Sequence, residues 1–104
     1  TRAASVYGGV GIEPQIRAIR TADIVAGTPG RILDHIERRT ISFDKVKFLV
    51  IDEADKMFEM GFIDDVERIV SHVPKERQTM LFSATIGADI HSIVKRHLRS
   101  PASI

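Results

Sequence analysis

The chain has 104 residues, 43% of them apolar and 28% charged, with fifteen Lys and Arg against fourteen Asp and Glu. At roughly two thirds of the ~150 residues usual for one domain, it has room for a single small core, with the composition of an ordinary globular chain rather than a disordered or fibrous one. The absence of cysteine excludes disulfide scaffolds and thiolate metal sites, no apolar run approaches the ~18–20 residues that cross a bilayer, and Thr1 to Tyr7 lacks the apolar core of a secretory signal.

In chain order, Ala3 to Tyr7 reads as a short strand closed by Gly8-Gly9. From Pro14, Ile16 and Ile19 at a spacing of three suggest a brief helix, and Asp23 to Ala26 a second strand. Thr28-Pro29 opens another helix: Thr can accept a bond from an orphan N–H, Pro at the first helical position loses nothing by lacking its own, and Ile32, Leu33 and Ile36 supply the apolar stripe. Phe48-Leu49-Val50-Ile51 is continuously apolar, which suits a strand covered on both faces of a parallel sheet. Ile63, Val66, Ile69, Val70 and Val73 follow at helical spacing until Pro74, then Thr79 to Phe82 reads as a fourth strand. Ile90, Ile93, Val94 and Leu98 mark a last helix ended before Pro101. Strands alternating with helices predict an α/β fold, a parallel sheet with flanking helices, and no repeat or linker divides the chain.

Charge is unevenly placed. Asp52, Glu53, Asp55, Glu59, Asp64, Asp65 and Glu67, seven of the fourteen acids, fall within sixteen residues beside a single base, Lys56. The remainder of the chain is basic, so one edge suits a metal ion and another suits phosphate, although a solvated helix face decorated with acids has the same pattern.

In an open parallel sheet the ligand site lies off the carboxyl ends of the strands. Three polar clusters fall there: Gly27-Thr28-Pro29-Gly30-Arg31, Asp52-Glu53-Ala54-Asp55 and Ser83-Ala84-Thr85. An apolar strand ending in Asp-Glu is the physical form of a Walker B element, whose first carboxylate holds Mg²⁺ directly or through water while the second orients a water for attack on phosphorus. The same acids would also favour the dipole of a helix N-terminus, and Thr28, Ser83 and Thr85 would serve equally as caps. His35, His72, His91 and His97 show no ligand spacing and read as solvated or packing residues, and Met57, Met60 and Met80 read as core filler.

The ordered set Tyr7-Gly8-Gly9, T-P-G-R at 28 to 31, D-E-A-D at 52 to 55 and S-A-T at 83 to 85, with Met60-Gly61-Phe62 after the acids, resembles the first RecA-like domain of DEAD-box ATP-dependent RNA helicases from about Tyr7 to Leu98. The resemblance implies a truncated RecA-like, P-loop NTPase domain running over 1–104 from the glycine pair through S-A-T. It implies that Asp52 holds the Mg²⁺ of bound ATP through water and that Glu53, also near the metal, positions the hydrolytic water as the second catalytic carboxylate. It further implies that Asp55 bonds to Ser83 and Thr85 and couples the ATP and RNA sites, and that Gly8, Gly9, Gln15, Thr28, Pro29, Gly30 and Arg31 contact an RNA sugar-phosphate backbone without reading bases. The implied setting is intracellular, cytoplasmic or nuclear, with no membrane partner.

Parts of that family pattern are missing. No Gly-Lys dipeptide occurs, so the phosphate-cradling P-loop is absent, as are the adenine-reading motif, the upstream P-T-R-E-L segment and the second RecA-like domain; Ile86-Gly87 stands where a Pro often follows S-A-T. The chain is therefore expected to be inactive alone as an ATPase and to belong to a longer helicase. In such sheets the P-loop strand lies beside the S-A-T strand, so the strand at 79 to 82 is expected to form an open edge through which the isolated chain dimerises or swaps elements. Two other readings remain: an RNA-backbone-binding module that keeps the fold without the ATPase, and a Mg²⁺-binding α/β receiver or hydrolase that contains D-E-A-D by coincidence.

Overall fold

The computed structural model describes residues 1–85 and 87–97. Nine elements alternate along them: β1 (Ala3–Val6), α1 (Ile12–Ile19), β2 (Ile24–Gly27), α2 (Pro29–Glu37), β3 (Phe48–Ile51), α3 (Ala54–Glu59), α4 (Ile63–Val70), β4 (Gln78–Leu81) and α5 (Ala88–His97). The α/β class is as expected, and every strand pairing is parallel. The hydrogen-bonded ladders form two separate pairs, β1 with β2 and β3 with β4, rather than one continuous sheet. Ala3 to Val6 lie opposite Ile24 to Gly27, and Phe48 to Ile51 opposite Gln78 to Leu81.

Each pair has its own core. Ala4, Val6 and Ile19 are buried together with Val25, Ile32 and Ile41 packed against them, while Ile51, Ala54, Val66, Val70 and Ile90 form a second cluster flanked by Leu49, Met57, Phe58 and Leu81. Helix α4 builds its side of that cluster from the spacing anticipated above, with Val66, Ile69 and Val70 buried. It ends at Val70 rather than at Pro74; Val73 is buried in the loop that follows. Helices α2 and α4 pack together, and Arg68 of α4 reaches Glu37 of α2 at 3.0 Å. The predicted end of α5 at Leu98 lies outside the described residues.

Two expectations are corrected here. The β3–β4 pair is covered on one face only: Leu49, Ile51, Thr79 and Leu81 turn inward, whereas Phe48 is 64% exposed, Val50 52%, Met80 37% and Phe82 54%. Continuous apolarity thus marks a strand whose second face lacks a cover among the described residues. Of the three methionines only Met57 packs against a core; Met60 and Met80 are exposed.

Glycine decides the geometry at two positions. Gly61, at φ +80°, follows the last turn of α3, and its N–H reaches the Phe58 carbonyl at 3.1 Å while that of Phe62 reaches Met57 at 2.8 Å, the paired bonds of a Schellman stop. At Gly27, a Cβ would collide with the Val6 carbonyl oxygen and Cγ2 and stand 3.2 Å from Ile32 Cγ1, so only glycine lets β1, β2 and α2 approach as they do.

Candidate ATP and RNA sites

Strand β3 carries its chain outward to Asp52 and then turns sharply. Glu53 sits in the left-handed region (φ 54°, ψ 46°), a conformation that costs a non-glycine residue roughly 1–2 kcal/mol, and the Asp52 carboxylate accepts the Glu53 N–H at 2.8 Å. The turn swings the chain into α3, a helix hidden in the sequence behind its run of acids. Ala54 is fully buried and its N–H binds the Phe82 carbonyl at 3.1 Å, which joins the start of α3 to the exit of β4. Asp52 and Glu53 therefore stand at the carboxyl end of the parallel pair with their side chains exposed.

Beside them, Asp55 and the S-A-T segment form one hydrogen-bonded unit across 30 residues of chain. The Thr85 hydroxyl donates to the Asp55 carboxylate at 3.2 Å, the Asp55 N–H donates to Ser83 Oγ at 3.2 Å, and the Ser83 hydroxyl donates to the Thr85 carbonyl at 2.7 Å. Partial burial raises the Asp55 pKa, but the Lys56 N–H and the hydroxyls of Thr85 and Ser83 outweigh it, and the net effect holds the carboxyl below its ordinary 3.8. Asp52, Glu53, Asp55, Lys56, Phe82, Ser83 and Ala84 line an open cleft of about 320 Å³.

Among the described residues no three carboxylate or histidine groups come together as a metal cage. Two carboxylates at one strand tip suit a magnesium ion that keeps most of its water and takes its remaining ligands from substrate phosphates. The donor set fits that ion and does not suit calcium, which takes six to eight oxygens.

The second cluster lies at the ends of β1 and β2. Gly8 and Gly9 form an exposed turn after β1, with Gly9 at φ +85°, and Thr28 precedes α2 in an extended conformation with Pro29 at the first helical position. Thr28 makes no side-chain capping bond, contrary to expectation; its own N–H pairs with the Val6 carbonyl at 3.1 Å instead, which ties the start of α2 to the end of β1. A Cβ at Gly8, Gly9 or Gly30 would meet nothing within 4 Å, so these three backbones face open space.

Gln15 departs from its expected place on that surface. It is 6% exposed, its Nε2 donates to the Tyr7 carbonyl at 2.9 Å, and its Oε1 receives Arg31 Nη1 at 3.3 Å and His35 Nε2 at 3.0 Å. Arg31 Nη1 also donates to the Val10 carbonyl at 3.2 Å. His35 is fully buried, and burial, only partly offset by Asp34, holds its pKa below the ordinary 6.5. The sequence gives a lone histidine at helical spacing from Arg31; nothing in it reveals a partner twenty residues away.

Comparison with known proteins agrees with this geometry. The DEAD/DEAH box helicase family model matches residues 1–93. The chain is 56% identical over 104 residues to the ATP-dependent RNA helicase CshA of Listeria monocytogenes, which covers 99% of this chain and 20% of that protein. A crystal structure of a DEAD box protein from Methanococcus jannaschii superposes with a TM-score of 0.92 at 47% identity, over 95% of this chain and 27% of the other. A yeast DEAD-box splicing factor superposes at 0.88 and 33% identity, over 94% of this chain and 23% of the other. The chain thus spans 20% to 27% of these three proteins, and along that span it belongs to the DEAD/DEAH box helicase family.

Proposed function

We propose that residues 1–104 are part of the helicase ATP-binding domain of an ATP-dependent RNA helicase, running from the glycine pair through S-A-T. The observation that carries this reading is the bonding of Thr85 and Ser83 to Asp55, immediately beside the exposed carboxylates Asp52 and Glu53. It supports a device in which the residues that would hold Mg²⁺ and orient water are mechanically joined to the exit of β4.

In that reading Asp52 would hold Mg²⁺, and Glu53, presented outward by its left-handed turn, would orient a water and take its proton as that water displaces ADP from the terminal phosphorus of ATP. Bound Mg-ATP supplies the transferable phosphoryl group and the charge that the carboxylates organise. The groups at 8–9 and 28–31 contact RNA: Thr28 and the open N–H groups at the start of α2 face a phosphate oxygen, Gly8, Gly9 and Gly30 admit a close backbone, and Arg31 adds a cation. No base-reading group belongs to the set, so binding is independent of sequence and weakened by salt.

The chain alone contains no P-loop to cradle phosphates, and we propose that it turns over ATP only within a longer polypeptide. Its open face of Phe48, Val50, Met80 and Phe82 favours self-association when it is produced by itself, which sedimentation velocity tests: a concentration-independent monomer would refute it. The helicase reading is tested by ATP turnover of the longer polypeptide with and without RNA. RNA-stimulated turnover supports it; RNA binding without turnover favours a non-catalytic module that keeps the fold.

A further inference from the structure

Gln15 and His35 sit beneath the proposed RNA surface rather than on it, and their hydrogen bonds determine one another. Arg31 can only donate, so the group of Gln15 facing it is the carbonyl oxygen, and the amide nitrogen faces the Tyr7 carbonyl. His35 Nε2 meets that same oxygen at 3.0 Å and must therefore carry the proton. On the other side of the ring Nδ1 lies 2.8 Å from Thr40 Oγ1. The Thr40 hydroxyl has two acceptors in reach, Nδ1 and the His35 carbonyl at 3.1 Å; donation to Nδ1 goes with a neutral ring, the form that burial of His35 favours.

The position of Thr40 is itself set by a Schellman stop at the end of α2. The Arg39 N–H binds the Ile36 carbonyl and the Thr40 N–H binds that of His35, with Arg39 held at φ 60°. One chain of bonds thus runs from the end of α2 through His35 and Gln15 to the Tyr7 carbonyl immediately before Gly8-Gly9, with a branch to Arg31.

We propose that Gln15 and His35 are positioning residues for RNA binding: the Nε2–H of His35 fixes the Gln15 carboxamide, which in turn fixes the carbonyl before the glycine turn and the guanidinium of Arg31. The inference rests on the RNA-binding role proposed for 8–9 and 28–31. It assigns Gln15 no contact with RNA.

The test uses the longer polypeptide that carries this chain, with poly(U) as the RNA probe and ATP turnover as the readout. His35→Met fills the space without an N–H donor, while His35→Gln keeps a donor near the place of Nε2. The expected result is that His35→Met raises the RNA concentration for half-maximal stimulation about tenfold, as expected for loss of one positioned charge-assisted contact, with turnover at saturating RNA unchanged. His35→Gln restores most of that loss. Because His35→Met could instead unfold, ¹⁵N NMR of the unaltered protein tests the geometry directly and should show a neutral ring protonated on Nε2. A ring protonated on Nδ1, or identical RNA response in all three proteins, would overturn the positioning role and leave the helicase reading standing. Parallel loss of turnover and folding in both variants would overturn it too, as the mark of a purely structural residue. An unaltered protein that neither binds poly(U) nor responds to it would overturn both readings.

Discussion

Gly27→Ala should damage the fold where Gly30→Ala should not. The added methyl at Gly27 would meet the Val6 carbonyl oxygen, its Cγ2 and Ile32 Cγ1, and the first of these is backbone that no rotamer change can move. Overpacking of this kind costs about 1–3 kcal/mol, and displacing Val6 also weakens the Thr28 N–H bond to its carbonyl, worth about 1 kcal/mol net. The sum is about 2–4 kcal/mol, which lowers the melting temperature of a domain this size by roughly 10 °C or more. At Gly30 the same methyl meets nothing within 4 Å, so Ala there changes stability by no more than about 0.5–1 kcal/mol, in the stabilising direction for a helical site. Because Gly30 faces the proposed RNA backbone, its Ala variant weakens RNA binding instead. Thermal melts monitored by circular dichroism, paired with RNA titrations, separate the two effects. A Gly27→Ala variant that melts within 1–2 °C of the unaltered protein would refute the close-approach argument.

Two further outcomes follow from the end of α2. His35 is held neutral by burial, with Arg31 and Arg38 opposing its charge and Asp34 favouring it, so its folded pKa lies below the ordinary 6.5. The unfolded chain then takes up a proton that the folded chain refuses, and stability fully present above pH 6.5 is lost as pH falls from there toward the folded value. Melts across pH 7.5 to 5.5 should show this slope and lose part of it in His35→Gln; equal slopes would contradict it. Arg39 occupies a left-handed position without glycine's freedom, so Arg39→Gly should stabilise by about 0.5–1 kcal/mol in chemical denaturation, and a loss of stability would count against the strain.

Local patterning carried much of this fold. Phe48 to Ile51 forms a strand over the residues expected, because four consecutive apolar side chains ending in acid leave few alternatives. Val66, Ile69 and Val70 turn inward as their spacing requires. Helix α3 was not legible, since its buried contribution begins with one alanine and its exposed acids obscure the period. Strand β2 and strand β4 are each displaced by one residue from expectation, to Gly27 and from Gln78, because register is set by the partner strand. The Asp55, Ser83 and Thr85 unit was legible only through motif resemblance, while the link from Gln15 to His35 depends on two helices meeting and has no local signal at all.

We propose that Asp52 and Glu53, at the end of β3, serve hydrolysis while a separate surface grips RNA. Glu53→Gln in the longer polypeptide tests it most directly, because the exchange removes a proton acceptor with almost no change in shape. RNA-stimulated ATP turnover should fall by at least about 10²-fold, the scale of a lost general base, with the affinity for poly(U) unchanged. Turnover that survives the substitution, or RNA affinity that collapses with it, would contradict the account.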